Sequence, residues 1–322
     1  MNLPRLTPMT DLTGLRGVLD RMIGLEDRVD RWADGLLRPA ATSRVVRLDE
    51  WALPPVPLDL ELVSVLPTHP TTRPPLLFVH GLFTGAWAWR DWMREAADAG
   101  WPCYAVSLRG HGDSPGGGPV TLARDYVQDV LQAITQLPRP PVLIGHSFGA
   151  LVVQYVLERY PAPAAVLVCP TGADTGLRTV LRVLARHPVD AARFALGVGG
   201  RAPLDMMLSP AADDAAVRRF QERSVPARSP VVLQVAVHAR PRLQRCPLLV
   251  LGSTADPMVP ESDVRRTARQ YGATLVTHPG MSHGLMMDDG WQAPLATMLD
   301  WLGEAVPDRT DPPNRTAVHG TG

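Results

Sequence analysis

Gly145-His146-Ser147-Phe148-Gly149 has the spacing G-x-S-x-G and lies between an apolar run, Val142–Gly145, and a helical pattern from Phe148 to Arg159. Between a strand and a helix this spacing makes a sharp turn that lifts the serine above a sheet. The flanking glycines remove side chains that would collide in so tight a bend. Ser147 then sits at the start of the helix, whose free N–H groups and dipole favour negative charge. The chemistry this suits is nucleophilic attack on an acyl carbon. A serine hydroxyl manages that only when a base takes its proton and a third group holds the base in the right tautomer.

Nine histidines are available as that base. His283, in Pro279-Gly280-Met281-Ser282-His283-Gly284, follows the last strand pattern in a Gly-containing loop, where a mobile imidazole belongs; His278, ending that strand, is the alternative. His146 is expected to point away from the reacting face. His80 and His111 read as structural residues of turns, and His69, His187, His238 and His319 have no supporting context. The orienting acid should leave a strand end between the serine and the base. Asp256 is the one acid in Gly252-Ser253-Thr254-Ala255-Asp256-Pro257-Met258-Val259-Pro260, a loop stiffened by two prolines, and Asp174 is the runner-up. Asp288 and Asp289 follow His283 too closely to orient it and read as N-cap residues of the next helix.

An acyl-transfer site also needs donors aimed at a developing oxyanion. The backbone N–H of Phe148 is one; that of Leu82, in His80-Gly81-Leu82-Phe83, is the other, with Phe83 next in line. Phe83, Trp87, Met258, Met281 and Met286 are the expected substrate pocket, with Phe148 and Met287 beside them. A Met-rich wall adapts to varied acyl chains.

These residues need a scaffold that brings strand ends together. Leu76–His80, Tyr104–Leu108, Val142–Gly145, Ala165–Cys169, Leu248–Leu251 and Thr274–Thr277 read as strands. They alternate with helical patterns at 87–99, 122–136, Phe148–Arg159, Glu261–Tyr271 and Trp291–Leu302. Val45–Leu48 and Leu58–Leu66 read as an antiparallel pair. Alternation of this kind builds an α/β architecture, a mostly parallel sheet flanked by helices, with ligands outside the carboxyl ends of the strands.

With Gly145–Gly149, His80–Phe83, the stretch Leu108-Arg109-Gly110-His111-Gly112-Asp113-Ser114, Asp256 and His283 in this order, the chain resembles the α/β-hydrolase family over about 44–303. Within it the chain is most similar to serine carboxylesterases and to lysophospholipase-like or monoglyceride-lipase-like members. Gly85-Ala86-Trp87-Ala88-Trp89 is also similar to the esterase and hydroxynitrile lyase branch. The resemblance implies a Ser147–His283–Asp256 triad that cleaves carboxylic esters through an acyl-enzyme, with neither metal nor organic cofactor and a small-molecule ester as partner. A thioesterase, amidase, perhydrolase or C–C hydrolase with the same triad, or a non-catalytic binding protein on the scaffold, are the alternatives. Family dehalogenases and epoxide hydrolases carry an aspartate where this chain has Ser147.

All 32 basic residues among the 322 are arginine. Without lysine the chain can form no Schiff base, no pyridoxal phosphate linkage and no Walker-type phosphate clamp, and the lysine-dependent lyase chemistry is excluded with them. The 32 acids balance the arginines, so no global basic field recruits nucleic acid. Cys103, Cys169 and Cys246, widely spaced and beside strand patterns, read as core thiols. No apolar run is long enough for a transmembrane helix and no leader pattern opens the chain, so the expectation is a cytoplasmic protein.

The domain reading has residues 1–43 as an N-terminal helical extension, 44–170 and 246–303 as the core, 171–245 as a helical cap and 304–322 as an unstructured tail. In the extension Leu15, Val18, Met22, Leu25, Val29, Trp32 and Leu36 share one helical face. That face suits packing on its own domain, a homo-oligomer through the helix, or lipid contact. The cap carries twelve arginines against six acids, which reads as a solvated helical surface, with attraction of a substrate with an anionic end as the sharper alternative.

Overall fold

The computed structural model describes residues 58–118, 121–172, 176–195, 203–226, 241, 243 and 246–307. The expected extension helix, Val45–Leu48, Asp174 and residues 308–322 lie outside the described residues. Seven strands form one sheet: β1 (Leu62–Val65), β2 (Leu76–Val79), β3 (Cys103–Val106), β4 (Val142–His146), β5 (Ala165–Val168), β6 (Leu248–Ser253) and β7 (Thr274–His278). Their order across the sheet is β1-β3-β2-β4-β5-β6-β7. Only β1 runs antiparallel, against β3; every other neighbour pair is parallel.

The continuous apolar runs form the interior of this sheet. Every residue of β2, β4, β5 and β6 is buried, as befits strands covered by helices on both faces. At the edges, β1 and β7 mix half-buried with exposed positions. The covering helices are α1 (Arg90–Asp98), α2 (Ala123–Thr135), α3 (Phe148–Leu157), α8 (Glu261–Tyr271) and α9 (Gln292–Ala305). Among the described residues between β5 and β6 lie α4 (Gly176–Arg186), α5 (Pro188–Ala195), α6 (Leu204–Met207) and α7 (Asp214–Arg223).

Several boundaries differ from the sequence reading. The helix expected from Trp87 begins as a 3₁₀ turn, Ala86–Trp89, before α1. Its packing explains the tight start: Trp89 is fully buried, with its ring 5.0 Å from Phe78 and 5.5 Å from Trp92. β6 runs two residues past Leu251 because Gly252 and Ser253 pair with Thr277 and His278. The final helix continues past Leu302 to Ala305, so Glu304 is helical and does not open a tail.

The register decides where chemistry can occur. Val79 pairs with Gly145, Gly145 with Leu167, His146 with Val168, and Val168 with Leu251. The loops leaving β2, β4, β5 and β6 therefore emerge along one rim, and the loop after β7 joins them beside Ser253.

Candidate active site

Ser147 follows β4 with φ 52° and ψ −117°, a positive-φ conformation that a non-glycine residue adopts only under strain. Its N–H donates to the Val168 carbonyl (2.9 Å) and its carbonyl accepts from Thr171 N–H (3.3 Å), so β5 anchors the bend. The flanking glycines serve close approach. A Cβ on Gly145 would lie 2.6 Å from the Gly149 carbonyl oxygen, and one on Gly149 would collide with the carbonyls of Val79 and His80. The hydroxyl ends up half-buried, above a fully buried strand.

His283 Nε2 lies 2.7 Å from Ser147 Oγ, and His283 Nδ1 lies 2.7 Å from Asp256 Oδ2. A carboxylate only accepts, so Nδ1 carries the proton and Nε2 offers its lone pair to the serine hydroxyl. The other oxygen, Oδ1, accepts from the N–H groups of Met258 (2.8 Å) and Val259 (2.9 Å). The Asp256 and His283 side chains are 0% and 1% exposed. The structure thus brings together three residues far apart in sequence. His278 it leaves in the sheet, paired with Ser253, with its Nε2 buried and without a hydrogen bond.

Cys169 ends this row. It follows β5 with φ 42° and is fully buried. Burial first, then the nearby Asp256 carboxylate, raise the thiol well above its ordinary pKa, so it stays S–H beside Asp256. Among the described residues, Cys169, Asp256 and His283 are also the grouping close enough to hold a metal ion, with ligand atoms within 4.8 Å of one another. His283 Nδ1 and Asp256 Oδ2 are already engaged with each other by a hydrogen bond. Of the other thiols, Cys103 is buried and free, while Cys246 is free and half-exposed rather than a core thiol.

The loop after β2 crosses next to the serine: a Cβ on Gly81 would lie 3.1 Å from Ser147 Cβ. Leu82 and Phe83 form a turn there, Phe83 taking φ 73°, and the Phe83 carbonyl accepts from Val225 N–H (2.9 Å) in the segment after α7. Phe148 is the first residue of α3, so its N–H has no intrahelical acceptor. Its ring is buried edge-on against Tyr126, centroids 5.3 Å apart. Phe83, Trp87, Met258 and Met281 are buried with only slight exposure. Met286 differs from its expected role in a pocket wall: it is sealed completely inside the main apolar cluster.

Two sequence expectations are corrected by contacts between distant segments. His146 does not turn away from the site. Its Nε2–H donates to the His283 carbonyl (3.0 Å), and the two rings lie 4.8 Å apart. Asp288 is not a helix cap: α9 starts at Gln292 with Trp291 as its N-cap residue. It is a buried carboxylate that accepts from the Ser282 and Ser209 N–H groups and from Ser209 Oγ.

His80 and His111 are turn-fixing residues. His80 Nδ1–H donates to the Gly81 carbonyl (2.7 Å) and Nε2 accepts from Leu108 N–H (2.9 Å). His111 Nδ1 lies 3.0 Å from the Arg109 carbonyl, and the His111 ring is 5.0 Å from that of His80. Burial lowers His80 well below its ordinary pKa, lowers His111, and lowers His146 to about 3, the neighbouring His283 adding to the effect at His146. These rings stay neutral in the fold but take up protons in the unfolded chain near pH 6.5. Stability is therefore complete above that pH and is lost as pH falls toward the folded values, by about 1.4 kcal/mol per pH unit for each such histidine. In His146→Gln, where Nε2 of the amide replaces the ring donor, the slope of unfolding free energy against pH between 6 and 4 should shrink by about one proton. Denaturant titrations across that range measure it.

The arginine surplus of the insert is partly spent on ion pairs. Arg182 and Arg178 pair with buried Asp263 of α8 (2.8 and 3.6 Å) and Arg219 with Asp91 (2.9 Å), both acids outside the insert, while Arg186 pairs with the insert's own Asp205 (3.4 Å). No helix among the described residues is long and apolar enough to cross a membrane.

Comparison with known proteins agrees with this architecture. Putative methylesterase 12 of Arabidopsis thaliana is 31% identical over 107 residues, 32% of this chain and 31% of that protein. Polyneuridine aldehyde esterase of Rauvolfia serpentina is 32% identical over 95 residues, 29% of this chain and 36% of that protein. The chain thus spans about a third of the length of the curated relatives it matches. Among solved structures, the monoacylglycerol lipase of Paleococcus ferrophilus superposes with a TM-score of 0.60 at 22% identity, over 77% of this chain and 99% of that one. A thermophilic esterase from Thermogutta terrifontis gives 0.56 at 19% identity, over 77% and 94%. At such identities the likeness speaks for the fold. The sequence model described as the alpha/beta hydrolase family matches residues 76–297, well over half of the chain, from β2 into α9, and the chain belongs to that family.

Proposed function

We propose that the protein is a serine hydrolase that cleaves carboxylic esters of apolar acyl groups through a Ser147–His283–Asp256 triad and an acyl-enzyme. The observation that carries this reading is the unbroken hydrogen-bonded succession from hydroxyl to imidazole to carboxylate, 2.7 Å at each step. Ser147 attacks the acyl carbon while His283 Nε2 takes its proton, then hands it to the departing alcohol. Asp256, fixed by two backbone amides, holds the tautomer and stabilises the imidazolium. The Phe148 and Leu82 amides serve as oxyanion donors. Water, deprotonated by His283, releases the acyl group. Residues 171–245 act as a cap, tied to the core through Asp263, Asp91 and Phe83.

The names of the relatives, methylesterase and polyneuridine aldehyde esterase, support ester cleavage. The pairs of Arg178, Arg182 and Arg219 with acids outside the insert lower its surplus charge, which supports a neutral substrate. The test is a p-nitrophenyl ester series varied in acyl length, with neutral and anionic acyl ends, at low and high salt, alongside labelling by a fluorophosphonate probe. Labelling at Ser147 and hydrolysis of the neutral esters with little salt dependence are expected. A chain that neither labels nor turns over any ester is a binding protein on this scaffold. A rate toward the anionic ester that is high and falls with salt restores the charged-substrate reading.

A further inference from the structure

We propose that Asp288 is a positioning residue for the base: it locks the His283 loop to the Leu204–Ser209 strap of the insert, so that Nε2 stays within reach of Ser147. The inference rests on the triad reading above.

Asp288 is 1% exposed, and a carboxylate removed from water costs several kcal/mol unless its lone pairs are filled. Here both oxygens are taken. Oδ2 accepts from the N–H of Ser282, the residue before His283 (2.5 Å). Oδ1 accepts from Ser209 N–H (3.0 Å), Ser209 Oγ–H (2.6 Å) and Asp289 N–H (3.1 Å). One carboxylate therefore clamps the histidine loop to a strap about eighty residues away in sequence.

The strap reciprocates. The Met206 carbonyl accepts from Ser282 Oγ–H (3.1 Å), and the Met207 carbonyl accepts from Gly284 N–H (2.8 Å). A Cβ on Gly284 would lie 2.7 Å from the Met207 oxygen, so glycine is what allows the strap to come so close. Both neighbours of His283 are thus tied to the strap, while the carbonyl of His283 itself accepts from His146. This network holds the backbone that carries the ring, and the His146 ring lies 4.8 Å from the imidazole. An amide at 288 has one acceptor oxygen and would turn an NH₂ toward an N–H or hydroxyl donor, so charge is needed for the whole set.

The experiment uses the full chain as wild type, Asp288→Asn, Asp288→Ala and Ser209→Ala. It reads kcat and KM per titrated active site, fluorophosphonate labelling rate, thermal unfolding and the low-field proton resonance of the His283 Nδ1–H. Displacing a catalytic group by about 1 Å costs on the order of a hundred-fold in rate. Asp288→Asn should therefore lower kcat about a hundred-fold with KM within about twofold, Asp288→Ala more, and Ser209→Ala less but in the same direction, with the low-field resonance moved in each. Unchanged kcat and resonance per active site in the Asp288 variants, whatever their unfolding temperature, overturn the proposal. If those variants do not fold, unchanged kcat and resonance in Ser209→Ala overturn it instead. Wild type that fails to label sinks the triad reading and this inference with it; wild type that labels while Asp288→Asn labels equally fast sinks the positioning role alone.

Discussion

Ser147→Ala is expected to lose at least about 10⁴-fold in kcat while remaining folded, because His283 and Asp256 have no substitute nucleophile to activate. The residual rate over water would come from oxyanion donors and substrate binding. The fold should change little: the substitution removes one side-chain hydrogen bond, about 1 kcal/mol net, and leaves the elbow strained at φ 52°. Ser147→Gly separates strain from chemistry. It removes the nucleophile equally but relieves a backbone conformation that costs on the order of 1–3 kcal/mol in a non-glycine residue. The glycine variant should be as inactive as the alanine one and unfold at a higher temperature. Ester turnover, fluorophosphonate labelling and calorimetry on the two proteins check this. Ester hydrolysis in Ser147→Ala above about a hundredth of wild type would place the nucleophile elsewhere.

The elbow was legible because its requirements are local. A strand buried on both faces must be apolar throughout, and a bend whose Cβ positions are filled by backbone must be glycine; both show as letters in one short stretch. The strands β2 and β5 could be read in the same way from Leu76–His80 and Ala165–Cys169, each to within one residue, and β6 from Leu248–Leu251, short of its last two residues. Given those ends, the reach of His283 and Asp256 followed from their being the His and Asp in loops just past β7 and β6.

What escaped the reading depends on which segments meet in space. Asp288 stands five residues after His283 and resembles a helix cap, since a carboxylate near a helix start is the commonest reason for one. Its partner Ser209 lies in another segment, between α6 and α7, and no periodicity relates the two. Nothing in the elbow's own letters shows a partner for His146; the His283 carbonyl that meets it arrives from the loop after β7. Cys169 reads as an ordinary core thiol, and its place beside Asp256 exists only because β5 and β6 are neighbours. Counting charges along the insert does not show that Asp263 and Asp91, both in the core, stand beside Arg178, Arg182 and Arg219.

Asp256→Asn should be nearly as damaging as loss of the nucleophile. The amide oxygen is directed by the N–H groups of Met258 and Val259, which accept no other orientation, so the NH₂ turns toward His283 Nδ1. That nitrogen must then accept, the imidazole proton moves to Nε2, and the atom facing Ser147 becomes a donor unable to take the hydroxyl proton. Holding the wrong tautomer in otherwise intact geometry costs about 10⁴-fold in kcat in a triad. KM should move little, since nothing that touches the acyl chain is altered. Asp256→Ala leaves the ring free to choose its tautomer but without an orienting partner, so its loss is of similar size, with a larger fall in stability from the Met258 and Val259 amides left unpaired. Steady-state kinetics with active-site titration and circular dichroism on both variants decide the matter. An Asp256→Asn enzyme retaining more than about a hundredth of wild-type kcat would mean that another acid, with Asp174 first to be mutated, orients the imidazole.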